Sequence, residues 1–339
     1  MKKVSWGILG IGNIAQKFAE GFFDVGNAYI KGIASKNFER LSEFKKKFSI
    51  KENYCFSNYE DLINCKEIDI IYITLPHSFH HEWIIKCLNK EKNIVVEKPA
   101  TISFDQMSSI KNIFFKKKIF FAEAFMYRYH PQIKKVINLI KEKKIGNLLS
   151  MESYFGINLM EKKSLFGIKR KKKINEKSRL FNKNLGGGAI LDLGCYPSSM
   201  SLLIASLKST FTDVELKDKN VELYKTGVDI NSYTKLVFDN EFISSIGTSF
   251  NKNLGKQTKI KGDLGEMIIE DSWHGNPSKI IINGKNNEIY NIEAKSNIYS
   301  YEIEIFSKNL LDQNYEIEFP GVKFSETFLN MKILDNWLN

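Results

Sequence analysis

The chain has 339 residues, 43% of them hydrophobic and 26% charged, which exceeds the ~100–200 residues of one domain and excludes collagen-like, disordered and disulfide-stapled classes. Its formal charge is +11, from 50 basic and 39 acidic residues. Only four of the 50 are arginine (Arg40, Arg128, Arg170, Arg179), and the excess is spread along the chain, 19 basic against 13 acidic over residues 1–122 and 31 against 26 after that; a lysine-biased composition, not a nucleic-acid patch, accounts for it.

Val4 to Leu9 is an apolar run ending in a glycine turn, after which Ile14, Ala15, Phe18, Ala19 and Phe22 fall on one helical face. Strand-like runs recur at 29–34, 54–56, 68–74, 93–96 and 119–122, with helix-compatible segments such as 39–48 and 81–89 between them. This alternation predicts a doubly wound parallel α/β domain over residues 1–122. Beyond Glu123 the texture changes. Residues 125–144 read as one amphipathic helix broken early by Pro131, 147–157 as a strand, and 233–238, 241–250, 258–261, 266–270 and 279–282 as an antiparallel meander. Helices over 298–311 and 325–338 complete a second, α+β domain spanning 123–339. The one low-complexity stretch, Lys169 to Lys173, is expected in a loop.

Cys55, Cys65, Cys87 and Cys195 show no CxxC pair and no metal-ligand spacing, and no signal peptide precedes the first strand. No apolar run approaches ~20 residues. A soluble cytoplasmic protein with reduced thiols and no membrane partner is expected. His77, His80, His81 and His130 have no thiolate or carboxylate companion in a ligand motif, so no metal is expected either.

Gly10-Ile11-Gly12-Asn13-Ile14-Ala15 is a GxGxxA turn between a predicted strand and a predicted helix. The first glycine permits the tight turn, the second lets backbone approach a pyrophosphate, and the small third residue lets helix and strand pack closely. Dinucleotide binding is the reading. At the end of the second strand, where an NAD site places Asp or Glu on the ribose, this chain has Ser35-Lys36, with Arg40 a helical turn later. A hydroxyl, an ammonium and a guanidinium suit a 2′-phosphate, so NADP is the expected cofactor, with NAD possible.

Three further stretches carry a family resemblance: Glu97-Lys98-Pro99, the run Glu123-Ala124-Phe125-Met126-Tyr127-Arg128-Tyr129-His130-Pro131, and Gly186-Gly187-Gly188-Ala189-Ile190-Leu191-Asp192-Leu193-Gly194-Cys195-Tyr196-Pro197. With the opening turn they resemble the glucose-fructose oxidoreductase / inositol dehydrogenase / rhizopine catabolism (Gfo/Idh/MocA) family. Within it the chain looks most like the branch of dimeric dihydrodiol dehydrogenase and NADP-dependent xylose dehydrogenase. The resemblance implies a Rossmann domain followed by an open-sheet domain that carries part of the substrate pocket and, in many members, the dimer face. It implies that Lys98 contacts nicotinamide ribose and substrate, with Glu97 beside it, and that Asp192 and Tyr196 orient the substrate and relay a proton. It places Thr74, Leu75, Pro76, His77 and His80 along the cofactor, with His77 standing where relatives often have Asn. It carries over Arg128, Phe155 and Trp273 as pocket residues.

Elementary chemistry agrees with these roles. Oxidising an alcohol needs a hydride acceptor, supplied by the cofactor, and a group that takes the hydroxyl proton. Tyrosine, with an ordinary pKa near ~10, serves at neutral pH only where a cation favours its phenolate, which a lysine does. The expected function is an NAD(P)-dependent dehydrogenase or reductase acting on a secondary alcohol or ketone of a sugar, lactol or cyclic diol. The expected partners are a polyhydroxylated small molecule and a second copy of the chain. A nucleotide-sugar ketoreductase is the enzymatic alternative, with Lys162 to Lys177 placed to attract a diphosphate. A cofactor-sensing regulator and a hydrolase using transient oxidation are the alternatives of other classes.

Overall fold

The structure is a computed structural model and describes residues 2–163, 169–295 and 297–339. It divides into two compact units, Met1–Tyr129 with Lys295–Phe328, and His130–Ala294 with Leu329–Asn339. The sequence suggests one cut after residue 122; the observed division is discontinuous, because a late helix belongs with the first strands.

The first unit alternates β1 (Val4–Leu9), α1 (Asn13–Glu20), β2 (Ala28–Ala34), α2 (Phe38–Phe48), β3 (Cys55–Phe56), α3 (Tyr59–Asn64), β4 (Ile70–Ile73), α4 (His80–Asn89), β5 (Asn93–Glu97), α5 (Phe104–Phe114) and β6 (Phe121–Ala124). The strands form one parallel sheet in the order β3-β2-β1-β4-β5-β6. Every residue of β1 and β4 is buried, as expected of parallel strands covered on both faces. Asn37 and Ser103 cap α2 and α5 through their side-chain oxygens. The aromatic core is Trp6, Phe18 and Tyr72, with Phe18 stacked on Tyr72 at 3.8 Å.

The second unit opens with α6 (Pro131–Lys141). The long helix expected over 125–144 is shorter, because Met126–Tyr129 forms a separate 3₁₀ turn and Pro131 starts the helix, with His130 capping it. Next come β7 (Leu148–Gly156), β8 (Glu161–Lys163) and β9 (Lys169–Lys171). The last two pair antiparallel, so the basic stretch expected in a loop lies partly on a strand; residues 164–168 of that segment lie outside the described residues. A π turn (Ile190–Gly194) runs into α7 (Cys195–Lys208), followed by β10 (Val214–Leu223), β11 (Asp229–Phe238), β12 (Ile243–Ser249), β13 (Thr258–Gly262), β14 (Gly265–Ile269), β15 (Lys279–Gly284) and β16 (Glu288–Asn291). Two late helices follow. α8 (Tyr299–Leu311) belongs to the first unit, and α9 (Phe324–Leu338) runs from the first unit's segment into the second's.

The large sheet has the order β10-β11-β12-β7-β13-β14-β15-β16. It is antiparallel except where β7 inserts beside β12 in parallel, a departure from the expected meander that alternation alone does not reveal. Leu236, Ile246, Met151, Ile260 and Met267 point to the buried face. The chain from Lys183 to Lys208 is long and apolar enough to cross a membrane, contrary to the sequence reading, yet 89% of its apolar window is buried, the pattern of a core helix.

In the first unit, α8 buries Tyr299, Ser300, Glu302, Ile303, Phe306 and Ser307. Trp6 Nε1 donates to Ser307 Oγ at 2.9 Å, and the Phe18 ring lies 6.0 Å from that of Tyr299. These contacts explain why the late helix completes the Rossmann core.

Candidate active site

Gly10 ends β1 with φ +94°, and a Cβ there would lie 2.7 Å from Leu75 Cδ2 and 3.0 Å from the Thr74 carbonyl oxygen. Only glycine fits this turn between two strand ends. A Cβ on Gly12 would meet nothing within 4 Å. Gly12 is the N-cap of α1 and offers no side-chain cap, so the first amides of the helix, including those of Asn13 and Ile14, point at an open approach. Ala15 is fully buried where the helix meets the sheet. Uncapped amides beside an open glycine fit a pyrophosphate.

At the end of β2, Ser35 is buried and its Oγ accepts the Asn37 amide at 3.1 Å. Lys36 and Arg40 are exposed, and neither has an ion-pair partner among the described residues. The Lys36 ammonium lies 5.6 Å from the centre of the Tyr59 ring. Two cations at this strand end fit a ribose 2′-phosphate.

After β4, Thr74, Leu75 and Pro76 are half-buried, while His77 and His80 are buried. His80 Nε2 lies 2.8 Å from the Leu75 carbonyl oxygen and Nδ1 lies 2.9 Å from that of Pro99. It therefore ties the loop after β4 to the Lys98-Pro99 turn, whose peptide bond is cis.

Glu97, at the end of β5, accepts the Tyr72 hydroxyl. Lys98 is half-buried. Glu123 on β6 is 2% exposed, and its Oε1 accepts the Ala100 amide at 3.0 Å. Burial pushes its carboxyl up to about 7, against the opposing pull of that amide and of the Arg128 and Lys98 charges. Glu302 on α8 is fully buried, and burial together with the Glu97 charge raises its carboxyl well above the usual carboxylate range. Arg128, carried over as a pocket residue, is 1% exposed; it pairs with Glu326 and donates to the Pro320 carbonyl at 3.2 Å and the Tyr127 hydroxyl at 3.1 Å.

In the second unit the π turn carries Asp192, and the first turn of α7 carries Tyr196. Single π turns inside helices recur at functional sites. Asp192 Oδ1 accepts Arg179 Nη1 at 2.9 Å, with Arg179 45% exposed. The Tyr196 ring lies 5.4 Å from Phe155 and 5.5 Å from Trp273, and those two rings are 5.7 Å apart. Thus three expected site residues of this unit, Tyr196, Phe155 and Trp273, form one aromatic cluster, and Asp192 precedes Tyr196 on the same helical stretch. Tyr154, next to Phe155, turns to the other sheet face against Tyr233. Among the described residues, no group of three His, Cys, Asp or Glu side chains forms a metal site.

A parallel sheet in this order, with the glycine turn at its first crossover, defines a dinucleotide-binding Rossmann protein. The chain belongs to the Gfo/Idh/MocA family: residues 4–125 match the oxidoreductase family with an NAD-binding Rossmann fold, and residues 133–268 match the GFO/IDH/MocA C-terminal domain. It is an NAD(P)-dependent oxidoreductase. The chain is 28% identical over 283 residues to trans-1,2-dihydrobenzene-1,2-diol dehydrogenase of Xenopus tropicalis, covering 83% of this chain and 79% of that one. It is also 28% identical over 289 residues to D-xylose 1-dehydrogenase (NADP(+)) of Hypocrea jecorina, covering 78% and 72%. In fold it resembles a 3-ketoreductase from Actinomadura kijaniata in complex with NADP and TDP-benzene, with a TM-score of 0.83, 19% identity and coverage of 98% and 96%.

Sequence reasoning missed Arg179, Asp229 and Glu302. Arg179 carried a usable signal, being one of four arginines among 50 basic residues. Asp229 and Glu302 act on groups far away in the chain, Ile190 and Glu97, which no local pattern marks.

Proposed function

We propose that the protein prefers NADP and moves a hydride to or from a secondary alcohol or ketone of a sugar, lactol or cyclic diol. The nicotinamide, when bound, supplies the hydride chemistry. Gly10, Gly12, Asn13 and Ile14 cradle the pyrophosphate, and Ser35, Lys36 and Arg40 receive the 2′-phosphate. The loop from Thr74 to His77, His80, Glu97 and Lys98 line the rest of the cofactor. Tyr196 relays the hydroxyl proton, Lys98 supplies the cation that favours its phenolate, and Asp192 accepts substrate hydroxyls. Phe155 and Trp273 give apolar faces to the C–H side of a ring, and Arg128 serves the pocket through the segment it holds.

The observation that carries this reading is the grouping of Asp192 and Tyr196 on one helical stretch with Tyr196 against Phe155 and Trp273. An acid–base pair beside stacked aromatic rings suits a hydroxylated ring. A screen of sugars, diols and nucleotide sugars with NADP and NADPH, followed at the nicotinamide absorbance, tests it. Turnover of a free sugar or diol supports the reading; absence of turnover in every arm, with cofactor still bound, replaces it with a cofactor-sensing role.

A nucleotide-sugar ketoreductase is the second reading, favoured by the exposed cations Arg170, Lys171, Lys172, Lys173, Lys177 and Arg179. Selective turnover of the nucleotide sugars in the same screen would establish it. We further propose a homodimer formed through the outer face of the large sheet and a cytoplasmic location.

A further inference from the structure

Asp229 opens β11, is 1% exposed, and lies 39 positions from the residue it holds. Its Oδ2 accepts the Ile190 amide at 2.8 Å and the Ser232 hydroxyl at 3.3 Å. Ile190 is the first residue of the π turn, so its amide is one of the donors that a helix cannot satisfy internally. Gly188, with φ +117°, brings the chain so close that any Cβ there would overlap Asp229 Oδ1. The turn is fastened beyond this point as well. The Asp192 amide donates to the Gly188 carbonyl at 3.2 Å, and Thr248 Oγ1 donates to the Ala189 carbonyl at 3.1 Å.

Resting on the function proposed above, we infer that Asp229 is a positioning residue for Asp192: by holding the Ile190 amide, its carboxylate fixes the π turn that aims Asp192 at substrate hydroxyls. The carboxylate belongs at this helix start on charge as well, since an anion there meets the positive end of the helix dipole. Burial pushes the Asp229 carboxyl up to about 6, and the Ile190 amide is foremost among the bonds that pull it back down. The anion and the turn therefore stabilise each other.

A double-mutant cycle tests this, with Asp229→Asn made in the wild type and in Asp192→Asn. Acting through Asp192, Asp229→Asn lowers kcat/KM by about 10-fold in the wild type and by less than about 2-fold in Asp192→Asn, with NADPH affinity by fluorescence unchanged in both. Equal losses in the two backgrounds, or a loss that follows NADPH affinity, overturn the inference. If Asp192→Asn turns over like wild type, or no substrate is turned over, the functional reading fails, and amide hydrogen exchange decides the positioning claim separately. Exchange at 190–192 about 10-fold faster in Asp229→Asn, with 243–249 unchanged, upholds it; unchanged exchange at 190–192 overturns it. Should Asp229→Asn not fold, Ser232→Ala removes the hydroxyl bond to the same oxygen and enters the same cycle. A loss of about 2- to 3-fold confined to the wild-type background is then expected, and equal losses in both overturn the inference.

Discussion

Arg128 and Glu326, 198 positions apart in the chain, form an ion pair inside the first unit in which the guanidinium side chain is fully buried and the carboxylate 23% exposed. Removing one partner of such a pair leaves a charge without its counterpart, at a cost of about 3–5 kcal/mol. Glu326→Ala is expected to destabilise the protein by that amount in urea unfolding. Glu326→Gln, which keeps a hydrogen-bond acceptor, is expected to cost less. A loss below about 1 kcal/mol in Glu326→Ala would contradict the role given to the pair.

Cofactor choice is expected to follow from Ser35, Lys36 and Arg40. Charge-assisted hydrogen bonds to a 2′-phosphate are worth about 1.5–3 kcal/mol each, so NADP is expected to bind at least about 10-fold more tightly than NAD. Lys36→Asp shifts the preference towards NAD. Equal affinities in calorimetry of the wild type would show that the end of β2 does not read the phosphate.

The chemical step is expected to fall by about 10²–10⁴ in Tyr196→Phe, the usual worth of a general acid or base, with cofactor binding retained. Lys98→Ala is expected to lose more, in both turnover and apparent affinity. The double variant is little worse than Lys98→Ala, because residues that act as a unit are not additive. Near-normal turnover in Tyr196→Phe would assign the proton relay elsewhere.

Glu123 makes stability depend on pH with a definite sign. Its carboxyl is raised from the usual 4.5 to about 7, so between those values the native state holds a proton that the unfolded chain has released. The stabilisation is full below 4.5 and is lost as pH rises through 7, by ~3 kcal/mol. His130 acts oppositely: burial lowers it from 6.5 to about 4, so its contribution is present above 6.5 and lost as pH falls through 4. The difference between wild type and Glu123→Gln isolates the first effect. Denaturant titrations from pH 5 to pH 8 are expected to show the wild type losing stability relative to Glu123→Gln as pH rises, and a constant difference would refute it.

Assembly is expected through the face of the large sheet that carries Tyr154 against Tyr233, Val237 paired with Ile243, and the row Ile268, Ile281 and Ile289. Ile243 is 43% exposed and Ile289 61% exposed. Light scattering at micromolar concentration is expected to give a dimer mass, and Ile243→Lys with Ile289→Lys a monomer mass. A monomer in the wild type would remove the sheet face as an interface.

Period and turn chemistry made the first sheet legible. The buried run Val4–Leu9 and the glycines after it required a strand, a tight turn and a helix, and the later crossovers repeat the pattern. Motif resemblance marks Lys98, Asp192, Tyr196, Phe155 and Trp273 as candidates, and the structure brings the rings of the last three together. What remained hidden is what depends on distant partners. Nothing local to β7 shows that it lies parallel to β12, and β10, with no buried residue, has no core pattern to betray it. Asp229 looks like an ordinary acid until the Ile190 amide arrives from 39 positions away.

The bond from Trp6 to Ser307 spans 301 positions, and this sets a schedule for the making of the protein. At about 5–20 residues per second, a ribosome finishes β1 roughly 15–60 s before it reaches the helix that covers it. Throughout that interval the indole of Trp6 lacks its hydroxyl partner and the Phe18 ring lacks Tyr299. All strands of the large sheet emerge in the meantime, so β1 is made before them and must still wait for its cover, and a nascent chain held before residue 299 is the form most in need of a chaperone.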